Sequence, residues 1–192
     1  SNMKLLNESE IENEKFLKDQ ADKFRFKMLN NLINKLGDDY FVGKKEGIIT
    51  QFIDREVSQI DFNDSVMFAS NIDYRYFLSS YFVSGLTSGD LKTLELYNEK
   101  LLEMQKKSIV TTLKRGISFY NMEKLDVYYQ TYVKLAANDK GINRIKEKYD
   151  RIKTLKKGSP SPSFNYPDSS GKNISLESLK GKLVYVDVWA TW

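Results

Sequence analysis

All three prolines of the chain, Pro160, Pro162 and Pro167, lie beyond Gly158. From Ser9 to Lys157 there is none, so no residue in that stretch lacks an amide for a helical hydrogen bond. The apolar residues there recur at the helical period of three and four. Ser9 with Glu12 forms a capping box, in which a hydroxyl and a carboxylate each satisfy a free amide. The stripe Leu17, Ala21, Phe24, Met28, Leu32, Leu36 predicts a long first helix ending at Gly37, with Phe26, Leu29 and Ile33 widening its apolar face. A second helix is expected over 44–60, with Ile49, Phe52, Ile53, Val57 and Ile60 inward. Asp61 to Asp64 is a turn rich in N-cap oxygens, and Ser65 to Ala69 reads as a single helical turn.

Asn71 opens a helix carrying Tyr74, Phe77, Leu78, Tyr81 and Phe82, which leaves through Gly85 and Gly89. Ser88 or Asp90 is the candidate cap of the next helix, over 90–107, which uses Leu91, Leu94, Tyr97, Leu101 and Met104. Ile109, Val110, Leu113 and Ile117 belong to a helix over 108–120, either separate from it or continuous through a kink near Lys107-Ser108. Leu125 to Ala136 and Ile142 to Ile152 supply the last two. About seven helices with short connections predict an all-α bundle of antiparallel neighbours over residues 1–157. No fixed repeat period is present.

Composition removes whole classes of chemistry. The chain of 192 residues has neither cysteine nor histidine. Thiol nucleophiles, disulfides, histidine acid–base pairs and nearly all zinc sites are therefore absent from it. Asp61, Asp64 and Asp73 lack the spacing of a calcium loop, and Lys44-Lys45-Glu46-Gly47 lacks the frame of a phosphate loop. Glu46 and Asp54 make a pair too ordinary on a helix surface to mark a site. Neither a metal nor an organic cofactor is expected. The net charge of +4 falls within 1–157, interspersed with acids such as Glu95, Glu99 and Glu103, which argues for a solvated helical surface and against nucleic acid as a partner. No apolar run approaches the ~18 residues of a membrane span. Ser1-Asn2 reads as the remnant of a protease cut, so the N-terminus does not tell the location. Tyr76 and Tyr128 lie off the apolar stripes; they are candidates for a peptide-binding or dimer surface, with core-edge packing the plainer reading.

Residues 158–192 form the second expected unit, reached through the basic linker Lys153 to Lys157. Asp168-Ser169-Ser170-Gly171-Lys172 is turn chemistry. Ser175-Leu176-Glu177-Ser178-Leu179 reads as a short helical turn closed by Gly181. Leu183-Val184-Tyr185-Val186-Asp187-Val188-Trp189-Ala190 predicts a strand buried on both faces.

In order, Pro-x-Phe, Asp-x-x-Gly-Lys, Ser-Leu-x-x-Leu-Lys-Gly-Lys and Val-x-Val-Asp-Val-Trp-Ala-Thr-Trp resemble the opening of the thioredoxin-like domain of TlpA-like thiol-disulfide oxidoreductases. The resemblance implies the β start of a truncated thioredoxin-like α/β domain behind the helical one. In the family the next residues are Cys-x-x-Cys, so the chain ends one residue before the first of them and is expected to be inactive as it stands. Asp187 matches the aspartate beneath the redox pair, where a buried carboxylate accepts the resolving thiol's proton. Trp192, with Thr191 beside it, matches the flank of the dithiol, and Trp189 is expected in the core. The family implies client proteins bearing thiols or disulfides, a redox partner, and an extracytoplasmic location, periplasmic or anchored facing outward. The helical domain would position the redox domain or recognise clients. A peroxiredoxin-type peroxidase opens similarly, but Trp-Ala-Thr-Trp departs from the Phe-x-Pro-x-x-Phe-Thr usual there. A non-catalytic helical protein-binding module is the other reading. The apolar run Leu183 to Ala190 is also an aggregation-prone edge, suited to pairing with a second copy in a dimer or with the segment around Phe164.

Overall fold

The computed structural model describes residues 13–44, 47–136, 139–185, 187 and 189. The protein is mainly helical, with a small two-stranded antiparallel sheet near the C-terminus. In order come α1 (Glu14–Leu36), α2 (Asp38–Phe41), α3 (Ile48–Ser58), α4 (Ser65–Ser70), α5 (Ile72–Ser88), α6 (Leu91–Lys100) and α7 (Glu103–Gly116). A 3-10 segment (Phe119–Lys124) leads into α8 (Leu125–Leu135) and α9 (Ile142–Lys153). Strands β1 (Asn165–Pro167) and β2 (Asn173–Ser175) and a 3-10 turn (Glu177–Leu179) follow.

The bundle is organised around α5. Its buried residues Tyr74, Phe77, Leu78, Tyr81, Phe82 and Gly85 share one face, and Val83 and Thr87 extend the burial to the opposite side in its C-terminal half. Helix α1 lies along it, and α2, α4, α6, α7 and α8 also pack against it. The contacts are largely aromatic. Phe26 of α1 meets Tyr74 edge-on at 4.8 Å and Phe77 at 5.8 Å. Phe62 and Phe41 both pack on Tyr81, and Phe82 reaches Tyr97 of α6. Such edge-to-face and tilted pairs add about 0.5–1.5 kcal/mol each beyond burial.

The buried face of α1 differs from the expected stripe. Phe26, Leu29 and Ile33 are its centre, whereas Met28 is 42% exposed. The helix carries two neighbouring apolar rows, and contact with Tyr74 and Phe77 selects between them. Ile49, Leu91 and Met104, expected inward, are likewise exposed. The Ser9–Glu12 box lies outside the described residues; Asn13 caps α1, its Oδ1 accepting from the Phe16 amide at 3.0 Å.

The junction of the next helices also moves. No break occurs at Lys107-Ser108; the chain instead turns extended at Leu101 and Leu102 and restarts as α7. Leu101 is buried there, and Gln105 Oε1 accepts the Leu102 amide at 2.8 Å. A glutamine reaching back supplies half of a capping box without a serine or threonine at the cap. Helix α7 ends at Gly116, not Tyr120, because Phe119 begins a 3-10 segment in which Asn121 leaves helical geometry.

Of the two glycines expected at the exit of α5, Gly85 lies buried inside the helix and Gly89 alone ends it. Gly89 adopts the left-handed conformation (φ 77°) that terminates a helix at little cost for glycine. Asp90 then caps α6, its Oδ2 accepting from the Thr93 amide at 2.8 Å and hydroxyl at 2.6 Å. Of the two off-stripe tyrosines, Tyr76 is exposed, while Tyr128 packs over Gly116 at the edge of the core.

Helix α9 is fastened through one carboxylate. Asp126 on α8 accepts from Tyr149 Oη at 2.7 Å and Lys156 Nζ at 2.5 Å, while Tyr149 stacks on Tyr129 at 4.0 Å. Bonds from Lys156 and then Tyr149 hold the Asp126 carboxyl below the usual carboxylate range. A depressed folded-state pKa stabilises the fold above the unfolded-state value and is lost as pH falls through the folded one. The latch is therefore complete at neutral pH and opens only in acid. Asp126→Asn should release Lys156, and trypsin should cut at Lys156 and Lys157 faster in the variant than in the parent at pH 7. Equal cleavage rates would show that the latch does not restrain the linker.

Candidate functional site

After Tyr149 no described residue is fully buried, so residues 164–182 fold by local chemistry. Asp168 Oδ1 accepts from the amides of Ser170 and Lys172 at 2.8 and 3.0 Å and from the Ser170 hydroxyl at 2.6 Å. These bonds, the hydroxyl's first, hold the Asp168 carboxyl below its ordinary range. Gly171, with φ 82°, completes the reversal. The hairpin pairs Asn165 with Ser175, Tyr166 with Ile174 and Pro167 with Asn173, and the Leu176 amide extends the ladder to the Phe164 carbonyl at 3.1 Å. Ser175 and Ser178 bond reciprocally across the following 3-10 turn. The expected extended segment, turn and short helical turn are thus present.

The run that follows is different from its expectation. Leu183, Val184, Tyr185, Asp187 and Trp189 are outside any strand, and Leu183, Tyr185 and Trp189 are 104%, 88% and 79% exposed. A β-branched, aromatic run becomes a buried strand only with neighbours to pair it and cover its faces. Among the described residues no strand lies beside it. Trp189 is accordingly at the surface rather than in a core. Asp187 is exposed and belongs to no element, while Thr191 and Trp192 lie outside the described residues. Of these three site residues, the structure describes Asp187 alone.

The helical part contains a half-open polar pocket that sequence reasoning missed. A cavity of about 470 Å³ is lined by Tyr40, Phe41, Asp54, Tyr81, Asp90 and Lys92, among others. Tyr40 donates to Asp54 Oδ1 at 2.5 Å. Burial, and then that bond, push the Tyr40 hydroxyl far above its ordinary range; burial raises Tyr81 to about 12. Both phenols remain protonated donors at neutral pH, so neither Tyr40 nor Tyr81 serves there as a phenolate nucleophile or base. Its parts come from α2, α3, α5 and the α6 cap, too far apart in sequence for spacing to reveal. Among the described residues no cluster of acidic groups has the arrangement of a metal site. No described helix is long and apolar enough to cross a membrane.

Part of the chain is similar to a thiol-disulfide oxidoreductase. The relative is the thiol-disulfide oxidoreductase ResA of Bacillus subtilis (strain 168), 44% identical over 39 residues. That stretch covers 20% of this chain and 22% of the relative, so the chain spans about a fifth of the length of the protein it matches. No protein-family model and no solved structure matches the chain. The similarity is confined to that stretch and hints at a redox-related protein.

Proposed function

We propose that the chain belongs to an extracytoplasmic thiol-disulfide oxidoreductase of TlpA-like type, in which the helical domain positions the redox domain or recognises its clients. The observation that carries this reading is the 39-residue similarity to a thiol-disulfide oxidoreductase, together with the ordered motifs from Pro162-Ser163-Phe164 to Trp192. The chemistry needs two sulfurs. One thiolate attacks a sulfur of the client disulfide and expels the other as a thiol; the second cysteine then attacks the mixed disulfide, leaving the enzyme oxidised and the client reduced. In this proposal Asp187 accepts the resolving thiol's proton once neighbouring strands bury it, and Thr191 and Trp192 border the dithiol.

The chain without cysteine should show no turnover in an insulin-reduction assay. A polypeptide extended by the residues that follow Trp192 in its gene should carry Cys-x-x-Cys and reduce insulin. Replacing either added cysteine by serine should abolish that turnover. Absence of the motif, or an extended protein with both cysteines and no turnover, would sink the reading.

The exposure of Leu183, Tyr185 and Trp189 supports a second element of the proposal, pairing of this run with the same run of a second copy. Light scattering should then show a dimer for residues 1–192 and a monomer for residues 1–157. Monomers in both cases at high concentration would rule it out.

A further inference from the structure

The small net charge of the chain conceals a segregation along it. Residues 37–99 hold eleven Asp or Glu against five Lys or Arg, a net of −6. Residues 100–157 hold fifteen Lys or Arg against six Asp or Glu, a net of +9. The second stretch is also one region of the fold, because it comprises α7, α8 and α9, with α8 packed on both of the others.

That region contains a groove of about 600 Å³ between α7 and the end of α8. Tyr97, Val110, Leu135 and Ala136 give it an apolar floor, and Lys106, Lys107 and Lys114 stand along it with two acids, Glu103 and Asp139. Two of these cations are engaged: Lys106 with Glu103 at 3.5 Å and the Asn98 carbonyl at 3.2 Å, and Lys114 with Asp139. Lys107 has no ion pair among the described residues. The band continues onto α9, where Arg144, Lys148 and Arg151 share one flank at spacings of four and three. Lys148 Nζ reaches across to the Lys114 carbonyl at 3.4 Å, which joins that flank to the groove. Arg144 and Arg151 are exposed and, among the described residues, without an ion pair.

We propose that this face of α7, α8 and α9 docks an acidic polypeptide segment. Carboxylates of the segment meet Lys107, Arg144 and Arg151, and an interspersed apolar side chain enters the groove. Charge complementarity and the recessed apolar floor select this partner. A phosphate backbone has nothing to place on Leu135 and Ala136. An anionic membrane surface is bound by cations around protruding apolar side chains, whereas Val110, Leu135 and Ala136 are recessed. The inference gives the helical domain a partner chemistry and stands independently of the thiol-disulfide reading, since its test involves no thiol.

The test is fluorescence anisotropy of a labelled peptide of alternating glutamate and leucine, titrated with the full chain at low salt. Saturable binding that weakens on adding salt is expected. Reversal at Lys107→Glu, Arg144→Glu and Arg151→Glu together should lower affinity at least about tenfold. The same charge change placed elsewhere, Lys27→Glu, Lys35→Glu and Lys92→Glu, should change it less than about threefold, because only the overall field is altered. Glutamine at the first three positions should give an intermediate loss, with circular dichroism showing helix content unchanged. No binding, an equal loss in the control set, or tighter binding to duplex DNA or phosphatidylglycerol vesicles than to the peptide would overturn the proposal.

Discussion

Gly85→Ala is expected to destabilise the helical domain by about 2–3 kcal/mol, although alanine is the better helix former. Gly85 lies inside α5 with ordinary helical geometry, so the substitution relieves backbone entropy and on propensity alone would stabilise by roughly 0.5–1 kcal/mol. A Cβ there, however, would stand 2.4 Å from Thr93 Oγ1, 2.7 Å from its Cγ2 and 2.8 Å from its Cβ. Thr93 is fully buried, and both its amide and its hydroxyl are held by Asp90. It therefore has no free rotamer to escape into, and α5 and α6 must separate. Thr93→Ala makes room. In the double variant the loss should be smaller than the sum of the two single losses, by the roughly 0.5–3 kcal/mol typical of residues in contact. Strictly additive losses in urea denaturation would show that Gly85 is not there for close helix approach.

Leu29→Ala is the second large effect, about 2–5 kcal/mol, because Leu29 is completely buried between α1 and its neighbours and the space it leaves cannot fully collapse. Met28→Ala, one residue away on the same helix, should cost less than about 1 kcal/mol, because a residue 42% exposed loses little burial on truncation. Paired chemical denaturation midpoints check this. Comparable losses at both positions would mean that α1 buries Met28 as fully as Leu29.

That pair also shows where reading the chain succeeds and where it stops. Local signals carried through to the fold. The proline-free stretch is helical, the apolar face of α5 is buried as spaced, Asp90 caps α6, and Asp168 with Gly171 reverses the hairpin. Each depends on groups within a few residues of one another, so the sequence contains the whole interaction. The α7 start was harder to see because its cap is a glutamine three residues inside the helix rather than a hydroxyl at the boundary. The charge segregation between residues 37–99 and 100–157 was also open to inspection, by counting per segment rather than over the chain.

Tertiary structure decided what rests on contacts between distant segments. Two apolar rows on α1 are equivalent in sequence, and only the rings of Tyr74 and Phe77 on α5 choose between them. The Tyr40–Asp54 cavity and the basic groove between α7 and α8 are assembled from elements whose proximity no local spacing encodes. The run from Leu183 to Trp189 makes the same point in reverse. Its composition sets a strand propensity, but a strand is a property of paired backbones, and without a neighbour among the described residues the run stays exposed.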